Sequence, residues 1–293
     1  MPTLLDFRRR IRSVKNSQQI TRAMKFVAAA RLRRAQEAAL AARPYARELA
    51  RVLRSTMARI QEPQHALLER REEKNVLAIV LTGERGLAGA FNTNILRKAN
   101  EFFRANRDKK VVTIAVGKKG RDALKKAGFT FAGEWVNVLA RVEFKTAREI
   151  AKLATDLYAE EKKVDSVYII FSEFKSVMAP NLTVEKLLPI EAVGDKEGDK
   201  NKEKSETQVD YIYEQPEAQL LDKLLPRYVE TQILRAMLES SASEYAARMT
   251  AMESATRNAG DVIEALTLHM NKVRQAAITK EIIEIVSGAA YGA

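Results

Sequence analysis

The residues of this chain best placed to do chemistry form one glycine-spaced stretch, Thr82-Gly83-Glu84-Arg85-Gly86-Leu87-Ala88-Gly89-Ala90-Phe91-Asn92. It follows a short continuous apolar run, Val76 to Leu81, and precedes a helical pattern from Thr93 to Arg104. A phosphate-binding loop would sit at such a place, with backbone amides at a helix N-terminus turned toward an anion. The spacing departs from that design. The glycines fall at 83, 86 and 89, so the two-residue first step of G-x-G-x-x-G is missing and no G-K-[ST] follows. A tight strand-to-helix turn is the better reading. His65 and His269 are the only histidines, and neither has neighbouring residues at ligand spacing, which argues against a metal or histidine-based site. There is no cysteine, hence no disulfide framework, no thiolate metal site and no cysteine nucleophile. No Ser, Asp or Lys constellation suggests a nucleophile. The informative property is shape.

That shape is set by two long periodic runs. At the C-terminal end, from about Leu220 to Ser287, apolar and small residues recur at Leu238, Ala242, Tyr245, Met249, Met252, Thr256, Ala259, Ile263, Leu266, Met270, Val273 and Ala277. The steps alternate four and three, the spacing of a coiled-coil seam. A helix of roughly 68 residues at ~1.5 Å per residue would be on the order of 100 Å long and needs a second long helix to cover its seam. The partner lies at the other end, Leu4 to Ile60. Thr3 and Asp6 stand at capping spacing. The seam there is Leu4, Phe7, Ile11 and Val14, then Ala28, Leu32, Ala35, Ala39, Ala42, Ala46, Leu49, Leu53, Thr56 and Ile60. Between the two stretches the phase fails at Gln18, Thr21 and Lys25, and the apolar face is expected to move to Ile20, Met24 and Val27. Pro44, inside the pattern, removes one backbone bond and is expected to bend the helix.

The middle of the chain reads differently. Strands are expected at Val76–Leu81, Val111–Val116, Phe129–Trp135 and Ser166–Phe174, with a final antiparallel one at Leu182–Ile190. Helices are expected near Lys118–Lys126 and Thr146–Glu160. Strands alternating with helices predict a mostly parallel sheet covered by helices. Residues 194–205 form a charged, low-complexity loop. The fold class is therefore α/β: a Rossmann-like domain, 75–210, inserted between an N-terminal coiled-coil helix, 1–61, and a C-terminal one, 216–293, paired antiparallel.

Charge is unevenly placed. The net charge is +12 over 293 residues, and residues 1–61 carry fifteen Lys and Arg against only Asp6, Glu37 and Glu48. A solvated helix face and an acidic partner (nucleic acid, lipid surface or carboxylates of another protein) both fit this pattern. No apolar run approaches the ~20 residues that span a bilayer. The first residues have arginines but no apolar core after them, unlike a secretory signal.

The stretches RIRSVKNSQQITRAMKFVAAARLRRAQ, TGERGLAGAFN and ASEYAARMTAMESATRNAG, with RQAAITKEIIEIVSGAA near the C-terminus, closely resemble the gamma subunit of F-type ATP synthases. The resemblance covers essentially the whole chain in the same order. It implies a non-catalytic rotor of the central stalk. The coiled coil would stand inside a hexamer of alpha and beta subunits, and the α/β foot would join the epsilon subunit and the c-subunit ring. Proton-driven rotation would then move the beta catalytic sites through their states, with ATP and Mg bound by the hexamer and no cofactor on this chain. Arg248, Gln275, Thr279 and Glu281, with Met24 and Lys25 opposite, fall where that family contacts the beta subunit. Ile282, Ile285, Val286, Ala289 and Ala290 match a hydrophobic bearing tip. Tyr211, Tyr213 and Glu214 match the foot near epsilon and the c ring. A start at Met1 directly before the helix resembles a bacterial subunit, peripheral on the cytoplasmic face of the inner membrane.

Two positions depart from the family pattern: Ala88 stands where a cysteine is usual and Ala90 where a second glycine is usual. A reading from a different class is a basic coiled-coil nucleic-acid-binding protein with an α/β scaffold. The +12 charge supports it, and the lack of aromatics among the arginines weakens it.

Overall fold

A computed structural model describes residues 3–59, 65–176, 180–190 and 217–291. Tyr211, Tyr213, Glu214 and the charged loop 194–205 lie outside the described residues. The chain divides into two compact units, Arg31–Ala247 and the pair Met1–Ala30 with Arg248–Ala293. Helices α1 (Leu4–Arg59) and α5 (Glu217–Tyr291) contribute to both.

The larger unit is built on a five-stranded sheet. The strands are β1 (Asn75–Leu81), β2 (Lys110–Val116), β3 (Thr130–Trp135), β4 (Ser166–Phe174) and β5 (Pro180–Leu188), in the order β3-β2-β1-β4-β5. All neighbours are parallel except β4–β5, as the sequence pattern predicts. The central strand β1 is buried on both faces, which is why its sequence is a continuous apolar run rather than an alternating one. Its alternate residues separate two cores. Ala78 and Val80 face α2 (Phe91–Ala105) and α3 (Lys118–Lys126). Leu77, Ile79 and Leu81 face α4 (Phe144–Thr155), the π-helical turn Asp156–Glu160 that continues it, and the start of α5 through Leu225, Val229 and Ile233. Each such buried aliphatic side chain contributes about 2 kcal/mol.

In α5 every residue from Glu239 to Ala246 is buried. A helix buried all round must be covered on more than one side. The sequence accommodates this with Ser240, Ser241, Ala242, Ser243 and Ala246, which allow close approach; the hydroxyls of Ser241 and Ser243 find partners, while that of Ser240 is buried without one. Ser241 Oγ donates to the Leu139 carbonyl at 3.0 Å and Ser243 Oγ to that of Ser172 at 3.1 Å.

The smaller unit pairs the first part of α1 with the last part of α5. Phe7 packs on His269 with ring centroids 5.0 Å apart, Thr21 meets Thr256 at 2.8 Å and Lys25 meets Glu253 at 2.8 Å. As one number rises the other falls, so the helices are antiparallel. The start of α1 is closed by a capping box. The Thr3 amide donates to Asp6 Oδ2 at 2.9 Å and the Asp6 amide to Thr3 Oγ1 at 3.3 Å. The Thr3 hydroxyl also donates to Asp6 Oδ2 at 2.8 Å, and the bonds from the Thr3 amide and hydroxyl hold the Asp6 carboxyl below its ordinary pKa.

The expected phase shift does not occur. Ile20 and Val27 are 61% and 54% exposed, while Gln18, Thr21 and Lys25 keep the four-three phase and face α5. The seam is continuous in geometry and polar in chemistry over these turns. Backbone spacing, not hydrophobicity, fixes which face pairs once both flanks are in register.

Candidate functional site

Two places concentrate polar chemistry, one in each unit. In the smaller unit it is the polar segment of the seam. Gln18 Nε2 donates to the Thr256 carbonyl at 3.3 Å. Thr256 donates to its own helix at Met252, at 2.7 Å. Lys25 Nζ donates to Glu253 Oε1, and this bond and its charge hold the Glu253 carboxyl below its ordinary pKa. Gly260 lies opposite: a Cβ there would stand 3.2 Å from Gln18 Nε2. His269 pairs with Phe7, near the start of α1, whereas α5 runs on to Tyr291. Ile278, Ile282, Ile283, Ile285 and Val286 on this last stretch are exposed. At helical spacing Ile278, Ile282 and Ile285 share one stripe.

In the larger unit the polar chemistry lies around the glycine stretch after β1. The Gly83 amide donates to Asn92 Oδ1 at 2.8 Å. Glu84 accepts from the Lys118 amide at the start of α3 and from the Val138 amide, both at 3.1 Å. A carboxylate at that end of a helix is favoured by the unpaired amides and the helix dipole. Thr82 Oγ1 accepts from the Gly120 amide at 2.7 Å. Gly117, at φ +99°, passes so close that a Cβ would stand 2.0 Å from the Thr82 carbonyl oxygen. On Gly83 a Cβ would stand 2.9 Å from the Glu244 carboxyl of α5. The stretch is thus a clasp joining β1, α2, α3 and α5. Its left-handed positions are Leu87 and Gly89, and Ala90 sits at an unstrained φ of −85°. Ala88 is buried in the α2–α3 core.

Charged groups are also drawn into the larger unit. Glu239 of α5 is 3% exposed; burial raises its pKa more than Arg235 and Arg43 lower it. Its Oε1 lies 3.7 Å from Arg43 Nη2. At the other end of the sheet, partial burial would raise the pKa of Glu73, but Lys109 at 2.9 Å, Lys186 at 3.0 Å and the Tyr168 hydroxyl at 3.1 Å outweigh it and bring it to about 2. Among the described residues no three His, Asp or Glu gather as a metal-ligand cluster.

Comparison with known proteins fits this architecture. The ATP synthase family model matches residues 3–290. The chain is 48% identical to the ATP synthase gamma chain of Solibacter usitatus over 294 residues, covering 99% of each. It is 47% identical to that of Chlorobaculum tepidum, covering 99% of this chain and 98% of the other. This chain belongs to the ATP synthase gamma-chain family. Its fold is shared by solved chains at low identity. One from the Euglena gracilis mitochondrial ATP synthase (OSCP/F1/c-ring, rotational state 3) has a TM-score of 0.68 at 20% identity, covering 98% of this chain and 93% of that one. Another, from the rotor of the same enzyme in rotational state 1, has a TM-score of 0.65 at 21% identity, covering 94% and 98%.

Within this gamma-family chain, the six expected beta-contact residues do not form one cluster. Met24, Lys25 and Arg248 lie toward one end of the smaller unit, all part-buried. Gln275 lies 27 residues beyond Arg248, about 40 Å along a helix. Gln275, Thr279 and Glu281 are exposed, and Thr279 Oγ1 donates back to the Gln275 carbonyl at 2.9 Å. Gln275 and Thr279 share a face, while Glu281 points nearly opposite Thr279 at ~100° per residue. Of the tip residues, Ile282, Ile285 and Val286 are exposed; the side chains of Ala289 and Ala290 lie outside the described ones. Sequence reasoning missed the pairing of Gln18 and Thr21 with Thr256. Counting fours and threes through the polar residues, without requiring apolar ones, would have found it.

Proposed function

We propose that this chain is the central-stalk rotor of an ATP synthase, coupling rotation of a c-subunit ring to conformational change at beta-subunit sites. The observation that carries the reading is the antiparallel helix pair whose α5 strand outruns its partner into an exposed apolar end, in a chain aligned over 99% of its length with ATP synthase gamma chains. A two-helix shaft resists bending better than one helix. Its surface is uneven: Ile20, Phe26 and Val27 stand out on α1 and Val262 and Leu268 on α5, among exposed charges such as Arg22, Arg257 and Asp261. A surrounding alpha–beta hexamer would therefore meet a different face at each of its catalytic sites. Only such differential contact changes a conformational equilibrium.

In this reading the chain has no catalytic site and holds no nucleotide or metal. ATP and Mg belong to the alpha and beta subunits; in the glycine stretch Asn92 already takes the Gly83 amide, and Glu84 takes the Lys118 amide at the start of α3. Met24, Lys25 and Arg248 form one level of beta contact and Gln275, Thr279 and Glu281 a second. Ile282, Ile285, Val286, Ala289 and Ala290 turn in an apolar sleeve. Tyr211, Tyr213 and Glu214 are assigned the contacts to epsilon and the c ring. Among the described residues no helix is long and apolar enough to cross a membrane. The chain would be held peripherally on the cytoplasmic face of a bacterial inner membrane through its partners.

The test is reconstitution with matching alpha and beta subunits and a bead on the larger unit. Stoichiometric incorporation with one-way, stepped rotation during ATP hydrolysis is the expected result. Failure to assemble with a competent alpha–beta pair would remove the rotor reading.

A further inference from the structure

Helices α2 and α3 lie on one face of the sheet, with Phe91, Ile95, Ala99, Phe103 and Leu124 turned inward. Phe103, near the end of α2, packs on Phe129, just past the end of α3, with ring centroids 4.4 Å apart. The C-terminal ends of the two helices are therefore adjacent. Residues 91–126 hold eleven Lys and Arg against Glu101, Asp108 and Asp122, a net +8 in a stretch of 36 residues. Three of the cations are paired: Lys98 with Glu101, Lys109 with Glu73 and Arg121 with Asp122. The other eight, Arg104, Arg107, Lys125 and Lys126 among them, are exposed and form no ion pair among the described residues.

Like charges gathered on one folded face repel one another, and only three of the eleven cations are relieved by an internal ion pair. The face also lacks exposed apolar and aromatic anchors, and five of its eight unpaired cations are lysines. None of the exposed large apolar side chains falls between 91 and 126. Protein interfaces are built around large anchors packed in a buried centre and are depleted in lysine. Single-stranded nucleic acid needs exposed rings for stacking. A lysine-rich surface without such groups fits a diffuse plane of negative charge. We propose that the outer face of α2 and α3 is an electrostatic contact for an anionic lipid headgroup surface. The proposal rests on the placement of the chain beside a membrane under the rotor reading. Attraction of this kind acts within about 8 Å and needs no fixed partner atoms. It has no preferred angle about an axis normal to the membrane, so a turning subunit can stay within it.

The chain has no cysteine, so Asn100→Cys on the exposed side of α2 gives a single dye site. Energy transfer from that dye to a headgroup acceptor is measured with the full chain on phosphatidylcholine vesicles, with or without phosphatidylglycerol. The face variant carries Arg104→Gln, Arg107→Gln, Lys125→Gln and Lys126→Gln. A control carries Arg8→Gln, Arg9→Gln, Arg12→Gln and Arg22→Gln on α1, because that helix is basic too. Transfer is expected on phosphatidylglycerol vesicles only, to weaken about tenfold or more in the face variant, and to persist in the α1 control. All substituted residues are exposed, and matching thermal melts confirm that both variants fold. Equal transfer on both vesicle types, transfer unaffected by the face variant, or transfer lost in the α1 control would each overturn the proposal. So would tighter binding to an oligonucleotide than to the anionic vesicles. Rotation of the membrane-free reconstituted complex is expected to be unchanged by the face variant, so loss of lipid binding and loss of the rotor reading are separable.

Discussion

Gly117→Ala tests whether the clasp after β1 holds the larger unit together. Gly117 ends β2 and begins α3 at φ +99°, ψ 139°, a region that side-chain-bearing residues enter at a cost of about 1–3 kcal/mol. The added Cβ would stand 2.0 Å from the Thr82 carbonyl oxygen, a backbone atom that cannot rotate away. Relieving the overlap means moving Thr82 from β2. That stretches the bonds from the Thr82 amide to the Val116 carbonyl and from the Gly117 amide to the Trp135 carbonyl, both 2.8 Å. Losing two such bonds costs roughly 2 kcal/mol, for a total near 4. Two other glycines separate the contributions. At Gly128, φ is +81° but nothing lies within 4 Å of an added Cβ, so only the backbone cost of about 1–2 kcal/mol applies. At Gly86 nothing lies within 4 Å and φ is ordinary, so Ala is expected to change stability by less than about 0.5 kcal/mol. Urea unfolding followed by far-UV circular dichroism reads all three, with stability falling in the order Gly86→Ala, Gly128→Ala, Gly117→Ala. Gly117→Ala no worse than Gly128→Ala would refute the close-approach argument.

Three further outcomes are expected. Glu73 has a folded pKa of about 2, below its ordinary value of 4.5, so its contribution is fully present above that value and is lost as pH falls from 4.5 through 2. The full shift corresponds to about 3 kcal/mol, which solvent screening reduces to roughly 1–2, and Glu73→Gln should remove this part of the acid sensitivity in melts between pH 5 and pH 2. Ile282→Ser with Ile285→Ser removes apolar side chains that are already exposed. Stability should stay within about 0.5 kcal/mol while rotation in the reconstituted hexamer becomes irregular, and a large loss of stability would show those residues to be packed. Arg248→Ala or Gln275→Ala should each lower coupled ATP synthesis with assembly intact; normal coupling in both would count against the two contact levels.

The four-three spacing made both long helices legible, because a seam is a local periodic property that survives in sequence order. Thr3 and Asp6 announced the capping box for the same reason. The run VLAIVL identified a strand covered on both faces, and β5 was legible as antiparallel. Three features were not legible. Hydrophobicity misled at Gln18, Thr21 and Lys25, because helix geometry carries a register through polar turns when the flanks hold it. The role of Gly83 was hidden because its neighbour, Glu244, comes 161 residues later. The charge of α2 and α3 vanished in the average: outside residues 1–61 the chain is neutral, and only their shared sheet face gathers those cations.

The burial of α5 has a consequence for synthesis on the ribosome. The apolar face of Leu77, Ile79, Ile169 and Phe171 is finished by Leu225, Val229, Ile233 and Met237, which are translated after every strand. At about 5–20 residues per second, the interval from the end of β5 to residue 247 is roughly 3–12 s. Throughout that interval this face of the sheet is covered only in part, by α4 and the turn that continues it, and a message truncated before α5 would yield a chain that folds far enough to aggregate. The last long segment to leave the ribosome is also the lid of the nascent core.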